Sequence, residues 1–172
     1  ATEGYTYNGD PGSRPNIVFA PLYPLLIWLI SWIPGLDEVT AGFALNKIFL
    51  YLSLLILFQY LAVWMEPKRA FVALAALATS AGAYSLHAYY SESTMLLALS
   101  SVLLAHQRRK WPWLAMGAAA AGAARMAALP ITIFVAAYLL LRAKRPFLAL
   151  LSLSGSAAYL GYIGWAFGNP FT

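Results

Sequence analysis

The sequence contains no cysteine. That excludes disulfides and thiolate metal sites, and it leaves the redox compartment unreadable. Charge is also scarce, at 10% of residues against 62% hydrophobic, where a soluble domain carries about 25% charged residues. A surface that poor in charge would not stay dispersed in water, so an ordinary soluble domain is excluded. The start lacks an initiator Met, a charged n-region and an apolar h-region, so it is not a signal peptide. The turn-rich start and the turn-like Gly168–Thr172 end are read as cuts, with the chain an internal fragment. P-loop, nucleophile-elbow and zinc spacings are all missing, and His87 and His106 have no second ligand at metal spacing. The net charge of +5 comes from short basic clusters between apolar runs, without the basic, aromatic-interleaved stripe of a nucleic-acid binder.

What is present is a succession of apolar runs. The fold expected is all-α and integral to the membrane: a polytopic bundle of about six transmembrane helices plus one interfacial helix. Residues 1–39 are expected to form an extracytoplasmic first loop. Its juxtamembrane helix, about 22–33, carries Trp28 and Trp32 one turn apart, as aromatics sit at headgroup level. Residues 40–172 would form the bundle, with helices at about 40–65, 70–88, 93–105, 111–125, 129–141 and 147–167. Eight of the eleven Lys and Arg residues fall in turns at 68–69, 108–110 and 142–145. The positive-inside rule puts those turns in the cytoplasm. Each interval between them must then cross twice, so 111–141 is read as a hairpin turning between Arg125 and Pro130. The first loop, the Tyr89–Ser93 turn, Arg125 and the Gly168–Thr172 end consequently share the outer side.

A few polar residues are left over from topology. Arg125 stands in an Ala-rich run, and an ionisable residue in a membrane helix costs at least about 2.5–3.5 kcal/mol, so it normally has a partner or a role. Its planar fork suits a lipid phosphate; the plainer reading is a snorkelling topology residue. Glu92 is the only acid in the interior hairpins, flanked by Tyr89, Tyr90, Ser91 and Ser93, a set of rings and hydroxyls that suits a sugar. It could orient an acceptor hydroxyl, accept its proton or help hold a divalent cation, or it could simply be an acid favoured at a helix N-terminus. Asn46 and Lys47 lie about two turns into the second helix, where Lys47 could meet an anionic headgroup or snorkel. Gly164-x-x-x-Gly168 is read as packing, and Asp10 as a turn acid.

Several strings resemble the GT-C superfamily of membrane glycosyltransferases, most closely its PIG-V-type mannosyltransferase branch. Phe19-Ala20-Pro21-Leu22-Tyr23-Pro24-Leu25-Leu26 is similar to the segment that closes the family's first large outer loop, and Ala1–Tyr7 is similar to a stretch upstream of it. Tyr90-Ser91-Glu92-Ser93 resembles a conserved outer turn of the branch. Asn46 sits where the branch often has Asn, and Arg125 aligns with the basic residue of a T-R-P-x-G-like segment of which only the Arg is kept. Gly168-Asn169-Pro170-Phe171 resembles a motif opening a later outer loop. The resemblance covers nearly the whole chain in order. It implies transfer of a sugar, with inversion, from a polyprenyl- or dolichyl-phosphate donor to a lipid or glycan acceptor on the extracytoplasmic side. Arg125, with Lys47, would serve the phosphate, and Glu92 would bind acceptor or assist the base. The family's principal Asp is expected upstream of Ala1, so this piece alone is expected to be inactive. The implied setting is a bacterial or archaeal cell membrane rather than the endoplasmic reticulum. The competing readings are a transporter or flippase of a lipid-linked saccharide, and a purely structural membrane subunit.

Overall fold

The computed structural model describes residues 20–80, 83–87 and 90–167, and among these it is all-helical, without a strand. Helix α1, Leu22–Ile30, is a short element of nine residues, about 14 Å long. It starts after Pro21 and stops short of Pro34, and it packs on α2, Glu38–Leu61, through Tyr23, Ile27, Ala41 and Leu45. The Tyr23 hydroxyl donates to the Gly42 carbonyl at 3.1 Å. Asp37 caps α2: its carboxylate accepts from the amides of Val39 and Thr40 at 3.1 and 3.3 Å, satisfying donors that the first turn leaves open.

Helix α3, Pro67–Thr79, has Pro in its first turn, where the missing amide costs nothing. The run expected at 70–88 is broken: α3 ends at Thr79, Ser80 is extended, and a short α4, Tyr84–His87, follows. Helix α5, Glu92–Gln107, leads into α6, Trp111–Ala124. A 3-10 turn, Met126–Ala128, separates α6 from α7, Leu129–Leu141, and α8, Pro146–Phe167, completes the described bundle. Residues 111–141 therefore go out and back, with the reversal at Arg125–Ala128.

Helices α2 and α5 run in the same direction, because Asn46 meets Ser93 near one end of the pair and Tyr60 meets Gln107 near the other. Helix α6 returns between α5 and α8, and α7 packs on α8. His106 and Trp111 both lie against Tyr138, at ring-centroid distances of 5.0 and 5.9 Å. The end of α7 is thus beside the α5–α6 turn, and the three basic turns gather at one end of the bundle.

The interior is built from small side chains. Ala115, Ala118, Ala121 and Ala124 of α6 are completely buried. A Cβ on Gly155 of α8 would run into the Ala119 carbonyl, and one on Gly122 would run into Ser156, so α6 and α8 approach closely only because those positions are glycine. Asn46, Ser53, Ser93, Ser100, Thr132, Ser152 and Ser156 are buried between helices, while Trp64, Phe71, Phe134, Phe147 and Leu150 point outward. Two helices among the described residues, Glu38–Leu61 and Pro146–Trp165, are long and apolar enough to cross a membrane.

Candidate functional site: an Arg–Glu pair recessed between long helices

At the end opposite the basic turns, the reversal after α6 brings Arg125 to the first turn of α5. Arg125 occupies the C-cap of α6 in an extended conformation, φ −157° and ψ 141°, which swings its side chain out of the α6 axis. Its Nη1 donates to Oε1 of Glu92, and the two form an ion pair across 33 residues of sequence. The Arg125 side chain is 40% exposed and that of Glu92 22%, so the pair is neither sealed in the core nor free on the surface.

Glu92 opens α5, where the positive end of the helix dipole favours a carboxylate. Its second oxygen, Oε2, is buried and has no hydrogen-bond partner among the described residues. The Thr94 hydroxyl, two residues further on in the same first turn, is in the same state. Ser93 points the other way and donates from Oγ to Oδ1 of Asn46 at 2.6 Å, both side chains being fully buried. The Asn46–Ser93 bond therefore fixes the start of α5 against α2, and that start carries Glu92.

Helix counting gives the depth of the pair. Asn46 lies eight residues into α2, about 12 Å from its N-terminal end. On α8, Gly155 and Ser156 are level with Ala119 and Gly122, so Arg125 is level with about residue 159, again about 12 Å short of the end at Phe167. Both long helices rise past the pair.

Of the residues singled out in the sequence, the structure thus joins Asn46, Glu92 and Arg125 through Ser93. Tyr90 stands just before α5, 44% exposed. Lys47 is exposed on α2, about 100° around the helix from the buried Asn46, and does not share its face. Tyr89, residues 1–19 and residues 168–172 lie outside the described residues, and with them much of the expected first loop. Sequence reasoning treated Ser93 only as a flank of Glu92 and gave Thr94 no role. The available signal was three consecutive polar residues, Glu92-Ser93-Thr94, at the head of an apolar helix.

Comparison with known proteins gives no match: neither a family model, nor a curated protein, nor a solved structure matches the chain.

Proposed function

We propose that the chain is a multi-pass membrane bundle forming part of a glycosyltransferase that uses a polyprenyl-phosphate sugar. The membrane reading rests on the distribution of side chains: small hydroxyl and amide groups are buried, and large apolar and aromatic groups face outward. That pattern suits a lipid surround, where helices associate through small residues and interhelical hydrogen bonds.

The observation that carries the transferase reading is the recessed Glu92–Arg125 pair with an unused carboxylate oxygen. A guanidinium has five donors; one nitrogen is engaged by Glu92, and the others can take a phosphate. In the reaction, an acceptor hydroxyl attacks the anomeric carbon and the carbon–oxygen bond to the polyprenyl phosphate breaks. The phosphate leaves with the electron pair, and the hydroxyl proton passes to a base. Arg125 would balance the charge that grows on the leaving phosphate, a group placed where charge develops. The Glu92 carboxylate would accept from the incoming hydroxyl and hold it in line or assist its deprotonation, a role that requires the side chain to turn the buried Oε2 toward the substrate. Tyr90 would stack on a sugar, and Lys47, on another face of α2 from Asn46, is not assigned to the phosphate. No step is routed through a divalent cation. The sugar favoured by the sequence resemblance is mannose, and the acceptor is a lipid or glycan on the extracytoplasmic side.

The test is transfer of labelled mannose from polyprenyl-phosphate mannose by the complete protein in liposomes. Glu92→Gln and Arg125→Gln should each lower the rate about 100-fold or more, as removal of a transition-state donor does. Wild-type rates in both variants would remove these residues from the chemistry. Movement of intact donor across the bilayer without bond cleavage would make the protein a carrier of lipid-linked saccharide.

A further inference from the structure

At the opposite end of the bundle lies a cavity of about 290 Å³, between the ends of α2, α5 and α7 and the start of α6. Tyr60, Trp64, Trp111 and Tyr138 form ring-lined walls, and His106 and Arg109 contribute nitrogen donors. Gln107 is tied down, its Nε2 donating to the Tyr60 carbonyl at 3.3 Å. The neighbouring Arg108 is committed as well, donating from Nη2 to Gln59 Oε1 at 2.9 Å and so locking α5 to α2. Arg109 is different: among the described residues it faces no carboxylate.

The backbone around Arg109 is costly in a telling way. The α5 C-terminus closes with Lys110 N donating to Ala105 O at 2.8 Å and Arg109 N to His106 O at 3.1 Å, the paired bonds of a Schellman motif. That motif wants glycine at the left-handed position, yet Arg109 occupies it at φ 54°. Lys144, after α7 at the same end, also has φ 54°. A side chain in this conformation costs about 1–2 kcal/mol that glycine would avoid. Arg109 is also one of the residues that line the cavity. The field around it is one-sided: eight Lys and Arg residues in the three turns face a single carboxylate, Glu66, which is already near Arg69 at 3.6 Å.

We propose that this cavity binds the phosphate headgroup of an anionic phospholipid, with Arg109 and His106 on the phosphate and the four rings around the glycerol. Its volume lies at the small end of ligand pockets, which run from about 300 to 1,000 Å³, so it takes a headgroup and not a whole lipid. The acyl chains would run along the bundle surface beside Trp64, which is 70% exposed. Basic, aromatic-rimmed pockets between membrane helices recognise headgroups in this way. The site rests on the membrane placement argued above but not on the glycosyltransferase chemistry.

The test uses the full chain and lipid vesicles of phosphatidylcholine alone or with phosphatidylglycerol, followed by native mass spectrometry of retained lipid and titration in neutral detergent. Phosphatidylglycerol should be retained over phosphatidylcholine. Arg109→Gly removes the guanidinium while relaxing the backbone, so it cannot fail by misfolding at that position. It should weaken phosphatidylglycerol binding about tenfold, the loss of one charge-assisted hydrogen bond. Arg145→Gln, equal in charge but outside the cavity lining, should change it less than about twofold, as a screened surface charge does. Equal losses in the two variants would overturn the proposal in favour of a diffuse basic surface, and so would the absence of any lipid preference. Displacement of bound lipid by millimolar inorganic phosphate would reassign the cavity to free phosphate. Failure to enter vesicles of either composition would instead refute the membrane reading itself, and the site with it.

Discussion

Replacing Gly155 with alanine sets two effects against each other, and the structure decides between them. In an open helix interior the change is favourable by up to about 1 kcal/mol, because glycine is a poor helix former. At Gly155 the new Cβ would meet the Ala119 carbonyl oxygen, with Ala119 C at 2.9 Å and Ala123 N at 3.0 Å. Ordinary contacts begin at 3.4 Å and the Ala119 oxygen is the nearest obstruction, so α6 and α8 would have to part by about an ångström or more, losing dispersion along the whole crossing. The obstruction is backbone, which cannot rotate away. Overpacking of this kind costs about 1–3 kcal/mol, so the clash should win by about 1–2 kcal/mol. For a chain of this size that lowers the melting temperature by about 2–8 °C. Gly161 is the internal control: it lies on the same helix, is exposed, and has nothing within 4 Å of its added Cβ. Gly161→Ala should melt at or above the wild-type temperature. Gly122→Ala should fall between the two, since it meets the end of the Ser156 side chain, with Ser156 N and Thr132 Cγ2 at 3.1 Å. Near-ultraviolet circular dichroism in one detergent, scanned at one rate, would rank the three. If Gly155→Ala melts with or above Gly161→Ala, α6 and α8 are not in contact there, and the small-residue account of this bundle is wrong.

Four further outcomes are expected. In a double-mutant cycle, Glu92→Gln and Arg125→Gln should be coupled by about 1–3 kcal/mol, between the values for exposed and for buried pairs; coupling indistinguishable from zero in denaturation would mean the two do not pair. Ser93→Ala should cost about 1 kcal/mol by leaving buried Asn46 short of a donor, and an unchanged melting temperature would count against the α2–α5 link. The Thr40 hydroxyl donates to Asp37 at 2.5 Å, and this bond above all, aided by the Thr40 and Val39 amides, holds the Asp37 carboxyl below its ordinary 3.8. A lowered folded value means the stabilisation is complete above 3.8 and is lost as pH falls through the lower folded value. Asp37→Asn should flatten that acid limb of a pH–melting curve, and an unaltered limb would show that the cap does not titrate there. Finally, the absence of native cysteine allows single cysteines at Gly35 and Lys144 to be labelled by an impermeant maleimide in sealed vesicles. Opposite sidedness is expected, and labelling of both from one side would break the orientation.

How far this could be read from the sequence depended on the range of the interaction concerned. Helices α2 and α8 announce themselves as long apolar runs without an internal proline, and the α6–α7 reversal is marked by Arg125 and Pro130. These are local facts of composition. The stop at Thr79 was written only in Thr79, Ser80 and Gly82, small breakers in a run whose alanines and leucines favour continuation. Sidedness from charge parity placed Glu92 and Arg125 on the same side, but nothing local says that they touch. That depends on the close α5–α6 packing permitted by Gly117, whose added Cβ would lie 3.0 Å from Val102. The Asn46–Ser93 bond, spanning 47 residues, is likewise a product of packing. Lys47 follows Asn46 in sequence, yet one helical step of about 100° leaves Asn46 buried and Lys47 exposed.

The depth of the pair also bears on why only two of the described helices reach the length of a span. Helix α6 has 14 residues and α7 has 13, about 21 and 20 Å, against a hydrocarbon core of about 30 Å. Taken singly they are too short. Taken with α2 and α8, they form the floor of a recess whose walls rise about 12 Å higher. Non-helical backbone at membrane depth is tolerated where protein buries it or where it lines a polar cavity, and under the proposed membrane placement the reversal at Arg125 would meet that condition. Ala124 and Ala128 on either side are buried. The Arg125 amide donates to the Ala121 carbonyl, and the Arg125 carbonyl accepts from Ala128 N, both at 3.1 Å. The extended residue is thereby satisfied in its backbone while its side chain is directed to Glu92. On this account the short helices stop where they do because a charged pair occupies the floor. Lengthening α6 by inserting one helical turn before Arg125 would lift the guanidinium about 5 Å away from Glu92, breaking the pair even though every residue of it remained.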